Sequence, residues 1–375
     1  MVIQSNTAMR IVFRVDASIQ MGTGHVMRCL TLADDLKNRG AECYFICREH
    51  PGNLIGLITQ RGYHVDVLPY TDLSQERELQ NHITGLAHAS WLGSTQKEDS
   101  CLCNPILEAL KPDWLIVDHY ALDVRWEKTL RPYCKKVMVI DDLADRCHDC
   151  DILIDQNYLP LYEQRYENLV PATTKKLLGP SFVLLRDEFS NLREGKLQQV
   201  TNVDAHILIN FGGIGNFALL SKVIDAINIY QKQSFYIVTG RLDSHQFLEL
   251  EKSISYSQVK IVETAENIAN LMSRSRYAIG ACGSTVWERF CLGINSGLVE
   301  MAENQATLLN YLTKMDLIDN LGNFNVLTKD CFLSLLQNLD VTDEKYSHRK
   351  TAIMSLIDGK GTQRVVEMIL EVANV

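Results

Sequence analysis

The sequence predicts an α/β protein made of two Rossmann-like domains facing a cleft. Short apolar runs alternate with segments whose apolar residues recur at helical spacing, and several of these runs end in Asp. The pattern stops near Pro160 and restarts near His206. Apolar runs of this kind are typical of parallel strands that are buried on both faces. The length of 375 residues also favours two domains.

The first half contains five predicted strands. The run Arg10–Val15 is followed by a glycine turn and by a helix whose apolar positions are 26, 29, 30, 33 and 36 and which stops at Gly40. Further strands are predicted at 42–47, 114–118, 137–141 and 152–155. Ligands of open α/β sheets bind at the carboxyl ends of the strands, so the residues just beyond each run are the candidates for function.

The second half repeats this order. Strands are predicted at 206–211, 235–239, 259–262, 277–281 and in the region 298–300, with helices over 217–231 and beginning near Glu266 and Thr285. Residues 160–202 break the pattern with three prolines and a polar stretch. We therefore expect an N-terminal domain over 9–180, a linker over 181–202, a C-terminal domain over 203–355 and a last helix within 356–375. The polar segment 79–104 is interpreted as an insertion with no predicted role.

Composition excludes several classes of function. The 37 basic and 46 acidic residues give a net charge of −9, which argues against a nucleic-acid partner because polyphosphate binding requires a basic face. No apolar run is long enough to cross a bilayer, and the start lacks the pattern of a secretory signal. The 11 cysteines include one CxxC spacing, at 147–150, without a second pair of the kind that holds zinc. We expect a cytoplasmic monomer with no membrane partner, no metal and no cofactor.

The first glycine turn offers a candidate catalytic base. Gly22 and Gly24 allow the backbone to approach a ligand closely, although residue 27 is Met, so the dinucleotide fingerprint is incomplete. His25 stands at the N-terminus of the following helix, where the helix dipole favours a neutral ring suited to general-base catalysis. Asp16 would orient that ring by accepting its other N–H. Alternatively, His25 caps the helix and Asp16 caps a turn.

Other candidates follow later strands. Ser284 and Thr285 are suited to holding a diphosphate, and Glu288 to accepting from two ribose hydroxyls. Thr285 and Glu288 also have the spacing of a capping box, which explains them equally well without a function. The glycines at 212, 213 and 215 form either a phosphate-approach loop or a flexible turn. The sequence Asp-His-Tyr at 118–120 follows a buried strand, and there His119 is more readily explained as a packed residue.

A series of motifs runs in order through nearly the whole chain. FRVDASIQMGTGHVMRCLTLA near the start precedes VDHYALD, IDDLADR and LLGPSFVLLRDEF, which are followed by INFGGIGN, GACGSTVWE, ENQ and IDGKGTQRVV. Together they resemble the PseG family, the UDP-2,4-diacetamido-2,4,6-trideoxy-β-L-altropyranose hydrolases of pseudaminic acid biosynthesis. That family is similar to the GT-B glycosyltransferases of the peptidoglycan GlcNAc-transferase type. The resemblance therefore implies two Rossmann-like domains with a UDP-sugar between them.

The resemblance also implies an activity and the residues that perform it. The activity is metal-independent, inverting hydrolysis of the anomeric C–O bond, with release of UDP. His25 would deprotonate the attacking water, Asn304 would help to hold it, and Tyr120 would line the same cavity. The nucleotide-sugar would be contacted by Gly22, Gly24, Arg186, Gly212, Gly213, Gly240, Asn267, Ile268, Ser284, Thr285 and Glu288. A glycosyltransferase that uses the same site, or a non-catalytic UDP-sugar-binding module, remains an alternative.

Overall fold

A computed structural model describes residues 8–70, 85–196, 205–265, 267–339 and 344–373. The chain divides into two compact units. The N-terminal unit contains the described residues up to Asn157, together with Leu161–Leu184 and the chain from Gly361 onward. The C-terminal unit contains Tyr158–Pro160 and Leu185–Lys360.

The N-terminal unit is built on a parallel sheet with the strand order β3-β2-β1-β4-β5-β6-β7. The strands are β1 (Arg10–Val15), β2 (Glu42–Arg48), β3 (His64–Leu68), β4 (Trp114–Asp118), β5 (Lys136–Ile140), β6 (Ile152–Asp155) and β7 (Lys175–Leu178). The direction of the strand order reverses between β1 and β4. This reversal creates a topological switch point, where ligands of open α/β sheets bind.

Helices cover both faces of this sheet. The α-helices are Gly24–Asn38, Ile55–Gln60, Gln96–Leu110, Val124–Leu130 and Gly361–Ala373, and the 3-10 turns are Ala89–Leu92, Arg131–Tyr133, Tyr162–Gln164 and Pro180–Phe182. Ile11 and Phe13 face one core, and Val12 faces another on the opposite side of the sheet. Burial on both faces explains why β1 is a continuous apolar run apart from its arginines.

The C-terminal unit has its own parallel sheet, in the order β10-β9-β8-β11-β12-β13. The strands are β8 (His206–Asn210), β9 (Phe235–Val238), β10 (Val259–Val262), β11 (Ser275–Ala281), β12 (Ser296–Glu300) and β13 (Asp319–Asn323). The helices are Asp187–Lys196, Phe217–Tyr230, Ser244–Ser253, Ile268–Ser273, Thr285–Cys291, Ala306–Lys314, Lys329–Asn338 and Glu344–Leu356, with a 3-10 turn at Glu303–Gln305. Here the strand order reverses between β8 and β11.

The predicted α/β class with two parallel sheets is confirmed. Three strands that the sequence pattern did not predict are β3, β7 and β13. A helix was predicted to begin near Glu266, which is outside the described residues. The described helix in this region begins at Ile268. The predicted insertion is described from residue 85 onward, and the helix Gln96–Leu110 begins within it and continues beyond its predicted end. Within the described ranges, no helix is long and apolar enough to cross a membrane.

Candidate active site

His25 lies at the switch point of the N-terminal sheet. The turn after β1 closes through a hydrogen bond of 2.8 Å from the N–H of Gly22 to the carbonyl of Ser18, with Gly22 at a φ of 78°. A φ of this sign is strained for residues with a Cβ, which explains the glycine. The helix then begins at Gly24, and its N-cap residue Thr23 makes no side-chain capping bond. The His25 ring is largely buried, with 8% of the residue exposed.

Asp118, at the end of β4, orients the His25 ring. Its Oδ1 lies 2.6 Å from Nδ1 of His25, and Arg28 donates to both carboxylate oxygens at 2.6 and 2.7 Å. Burial alone would raise the pKa of Asp118, but Arg28 and His25 outweigh it and hold the pKa well below the ordinary value of a carboxyl. Asp118 is therefore a buried anion that accepts the Nδ1–H of His25. This tautomer leaves Nε2 as the ring nitrogen able to accept a proton.

The prediction that Asp16 orients His25 is wrong. The Asp16 carboxylate instead lies 2.7 Å from Nη1 of Arg14 and 3.3 Å from Nε2 of His119. Asp16 follows β1 directly and points into this buried cluster, whereas Asp118 on the neighbouring strand reaches the helix. His119 is a packed residue, as its simpler interpretation predicted: it is 3% exposed, and its Nδ1 accepts the N–H of Ala121 at 3.1 Å.

Tyr120 and His25 lie together. Their ring centroids are 4.5 Å apart in an edge-to-face arrangement. The Tyr120 hydroxyl donates to Oδ2 of Asp142 at 2.7 Å, and Nη1 of Arg28 donates to the same oxygen at 2.6 Å. Asp142 therefore connects Tyr120 to Arg28, which shares Asp118 with His25. One polar network thus fixes the rings of both Tyr120 and His25.

In the C-terminal unit, the structure brings together the glycines that follow β8 and β9. The N–H of Arg241 donates to the carbonyl of Gly213 at 2.9 Å. Gly240 has a φ of 75°, and a Cβ there would lie 2.6 Å from the carbonyl oxygen of Gly212. The two loops thus pack backbone against backbone, and a side chain at 240 would separate them. Gly212, Gly213 and Gly240 lie at one edge of the sheet, beside the switch point.

The capping box predicted as an alternative for Thr285 and Glu288 does not form. The N-cap of the helix Thr285–Cys291 is Ser284, and it makes no side-chain capping bond. Oγ1 of Thr285 accepts a hydrogen bond of 2.5 Å from Arg289, a buried residue. Glu288 lies 3.5 Å from Nη2 of Arg186 and is 19% exposed. A capping box therefore does not explain Glu288. Burial raises the pKa of Glu288, and Arg186 and Arg289 offset only part of that effect.

The remaining predicted residues also follow strands of the C-terminal sheet. Asn267 caps the helix Ile268–Ser273, since its Oδ1 accepts the N–H of Asn270 at 3.0 Å. Asn304 is exposed in the 3-10 turn after β12. The side-chain Nε2 of Gln305, the next residue, lies 3.7 Å from where a Cβ on Gly283 would be. This turn therefore approaches the loop that carries Ser284.

Three residues of the His25 network were not predicted: Asp118 as the partner of the ring, Arg28 and Asp142. A signal for two of them was present, because both aspartates follow apolar runs. The cysteines at 147 and 150 are free thiols, one exposed and one buried. No group of three or more metal-ligating side chains suited to an ion occurs in the described parts of the chain.

No family model matches the chain. The chain is 27% identical over 310 residues to the UDP-2,4-diacetamido-2,4,6-trideoxy-beta-L-altropyranose hydrolase of Campylobacter jejuni, covering 82% of this chain and 97% of that protein. It is 24% identical over 295 residues to the uncharacterized protein MJ1062 of Methanocaldococcus jannaschii, covering 76% of this chain but 54% of that protein. It is 21% identical over 359 residues to the spore coat polysaccharide biosynthesis protein SpsG of Bacillus subtilis, covering 94% of this chain and 96% of that protein.

Two solved structures share the fold. MurG of Acinetobacter baumannii is 14% identical with a TM-score of 0.65, covering 97% of this chain and 99% of that one. UGT89C1 of Arabidopsis thaliana, complexed with UDP, is 12% identical with a TM-score of 0.65, covering 96% and 99%. The resemblance predicted from the sequence is therefore confirmed, and the fold is that of the GT-B glycosyltransferases.

Proposed function

We propose that this chain is an enzyme that hydrolyses the anomeric C–O bond of UDP-2,4-diacetamido-2,4,6-trideoxy-β-L-altropyranose or a close isomer, with inversion, no metal ion, and release of UDP and the free sugar. The Campylobacter jejuni relative with this activity in its name aligns over nearly its whole length. The structurally similar Arabidopsis thaliana UGT89C1 was solved in complex with UDP. Both likenesses support a UDP-sugar as the substrate.

The hydrogen bond between His25 and Asp118 is the observation that carries the proposal. A ring held through Nδ1 by a buried anion presents a basic Nε2 at the switch point. His25 would take a proton from water through Nε2 as the water oxygen forms a bond to the anomeric carbon. Asp118 would stabilise the resulting imidazolium, as the carboxylate does in hydrolases with a Ser-His-Asp triad.

As the anomeric C–O bond breaks, its electron pair passes to the oxygen of the departing diphosphate. That charge must be neutralised for UDP to leave. Backbone N–H groups of the glycine loops at 212–213 and 240, with Ser284 and Thr285, would bind the diphosphate, and Arg186 would add a positive charge. Glu288 would accept from the two ribose hydroxyls, with Asn267 and Ile268 beside the uracil. Asn304 would help to hold the water, and Tyr120 would bound the space around the sugar.

The test is hydrolysis in water labelled with heavy oxygen. Purified protein with EDTA and the diacetamido UDP-sugar should release UDP without any acceptor, with the label on C1 of the sugar and the opposite anomer formed first, as followed by NMR. His25→Gln should bind UDP normally and lose turnover. His348→Gln, which alters a side chain that is 77% exposed, is the matched control.

Three outcomes would overturn the proposal. Label on the diphosphate would mean P–O cleavage, so neither His25 nor its water would act at carbon. Sugar release that requires an added acceptor would identify a glycosyltransferase. Binding of the UDP-sugar with no release of UDP by either protein would identify a binding module.

A further inference from the structure

Three aromatic rings cluster beside the candidate base His25. The Tyr120 ring contacts His25, and it also stacks with Trp91 at 5.8 Å between centroids. His88 contacts both of these rings, with its centroid 4.4 Å from that of Trp91 and 5.5 Å from that of Tyr120. Trp91 and His88 come from the segment that the sequence left without a role. We call His88, Trp91 and Tyr120 the aromatic wall.

The segment that carries Trp91 is packed against the core of the N-terminal unit and the end of β2. Its 3-10 turn Ala89–Leu92 buries Leu92 at 1% exposure in the core of the N-terminal unit. Gly93 follows with a φ of 73°, and a Cβ there would lie 2.9 Å from Cε1 of His50. Ser94 then accepts a hydrogen bond of 2.9 Å from Arg48. Gly93 and Ser94, which follow the turn, are thus packed against the end of β2. This packing fixes the position of the Trp91 ring.

Thr95 and Glu98 secure the end of the same segment. The Thr95 hydroxyl accepts the N–H of Glu98 at 3.1 Å, and the Glu98 carboxylate accepts the N–H of Thr95 at 2.9 Å, which is a complete capping box. The helix Gln96–Leu110 therefore begins at a defined residue. The segment that carries Trp91 is therefore fixed both by the start of this helix and by its packing against β2.

Trp91 differs from the other tryptophans in its exposure. Trp114, Trp126 and Trp287 are 0%, 1% and 1% exposed, whereas Trp91 is only half-buried. Its ring is therefore held in place while part of the residue stays exposed. Aromatic rings in such positions bind ligands through their apolar faces, and ligand pockets are lined mainly by such groups with few polar ones.

We propose that Trp91 and His88, with Tyr120, contact the sugar of the nucleotide-sugar and select a deoxygenated, acetamido-bearing ring. This inference rests on the proposed function for its substrate. A 2,4-diacetamido-2,4,6-trideoxy sugar carries a C6 methyl and two acetyl methyls, whose C–H groups match the electron-rich ring faces. A sugar with a C6 hydroxyl would leave that hydroxyl without water against the wall, and unpaired polar groups are costly.

The first test separates sugar recognition from nucleotide recognition. Trp91→Ala should raise KM for the diacetamido UDP-sugar about tenfold, because one aromatic contact is lost. The inhibition constant of UDP, which lacks the sugar, should stay within about twofold of wild type. Trp91→Ala should also reduce the preference for this substrate over UDP-N-acetylglucosamine, which has a C6 hydroxyl. Tyr44→Ala is the control, since Tyr44 also pairs with a histidine ring, His64, but lies on β2.

The second test uses fluorescence, so it does not depend on turnover. Since the other tryptophans are buried, the UDP-sugar should change the emission of the wild-type protein through Trp91, and UDP alone should not. Trp91→Phe keeps an aromatic face for binding and should abolish the emission change. Unchanged KM in Trp91→Ala, or an emission change in Trp91→Phe equal to that of wild type, would refute the proposal that the aromatic wall contacts the sugar. An emission change in wild type without acceptor-free hydrolysis would refute the proposed reaction, but it would still support contact between the aromatic wall and the sugar.

Discussion

Nδ1 of His25 lies 2.6 Å from Oδ1 of Asp118, although 93 residues separate the two in sequence. The contact arises because β1 and β4 are neighbours, with Val15 paired to Asp118 in register. The turn after β1 then returns His25 over the end of β4. An imidazole at a helix N-terminus is thereby given a buried anion that fixes its tautomer.

Replacing Asp118 by Asn should remove the anion while keeping the shape of the side chain. The amide can bond His25 in the wrong tautomer and cannot stabilise an imidazolium, so kcat should fall by roughly 10²–10⁴-fold with little change in KM. Steady-state kinetics with the diacetamido UDP-sugar measure this. Asp145→Asn is the control, because Asp145 is 37% exposed and pairs with Arg146, not with His25. Full activity in Asp118→Asn would show that the contact does not assist the base.

Much of the sheet architecture was predictable. Strands at 114–118 and 152–155 match the predicted runs, because strands buried on both faces of a parallel sheet must be apolar throughout. The strands that were missed lie at or beside sheet edges. β7 has the sequence KKLL with both lysines exposed, and β13 has the sequence DNLGN. Edge strands keep one side in water, so their sequences lack the apolar signature.

The partner of His25 was not predictable from local pattern. Asp16 and Asp118 both follow apolar strands, and choosing between them requires the direction in which each side chain leaves the sheet. The capping boxes show the same limit. Thr285 and Glu288 have the spacing without the geometry, while Thr95 and Glu98 have both. Spacing describes what a segment is able to form, and tertiary packing decides whether it forms.

Gly240→Ala should destabilise the C-terminal unit and weaken UDP binding. The added Cβ would meet the carbonyl oxygen of Gly212 at 2.6 Å and the nitrogen of Gly215 at 3.0 Å, and backbone atoms cannot move aside cheaply. With the positive φ, the cost should be about 1–3 kcal/mol of unfolding free energy. Gly322→Ala is a matched control, because its φ is 86° with nothing within 4 Å of the added Cβ. Equal losses in both variants would mean that the loop contact contributes nothing beyond backbone strain.

His148 should make the stability of the N-terminal unit depend on pH. Burial by itself lowers its pKa, but the nearby Asp141 carboxylate and the hydrogen bond to Glu127 outweigh burial and raise the pKa to about 9. Because the folded pKa exceeds the unfolded value of about 6.5, the stabilisation is complete below about pH 6.5 and is lost as pH rises through 9. Its upper bound is about 3 kcal/mol. Urea unfolding should show the difference between wild type and His148→Gln shrinking from pH 6.5 to 9.5. A constant difference would contradict the raised pKa.

Glu288→Gln should weaken UDP binding about 10- to 100-fold, because a charged acceptor for the ribose hydroxyls is lost. Since burial raises the pKa of Glu288, the wild-type carboxylate takes up its proton at a higher pH than an ordinary glutamate. Affinity for UDP in wild type should therefore fall as pH is lowered from 7 towards 5, and calorimetry on Glu288→Gln should show less pH dependence. Glu188→Gln is the matched control, since Glu188 lies 3.0 Å from the same Arg186. Comparable loss of affinity in both variants would assign the effect to Arg186 and not to contact of Glu288 with ribose.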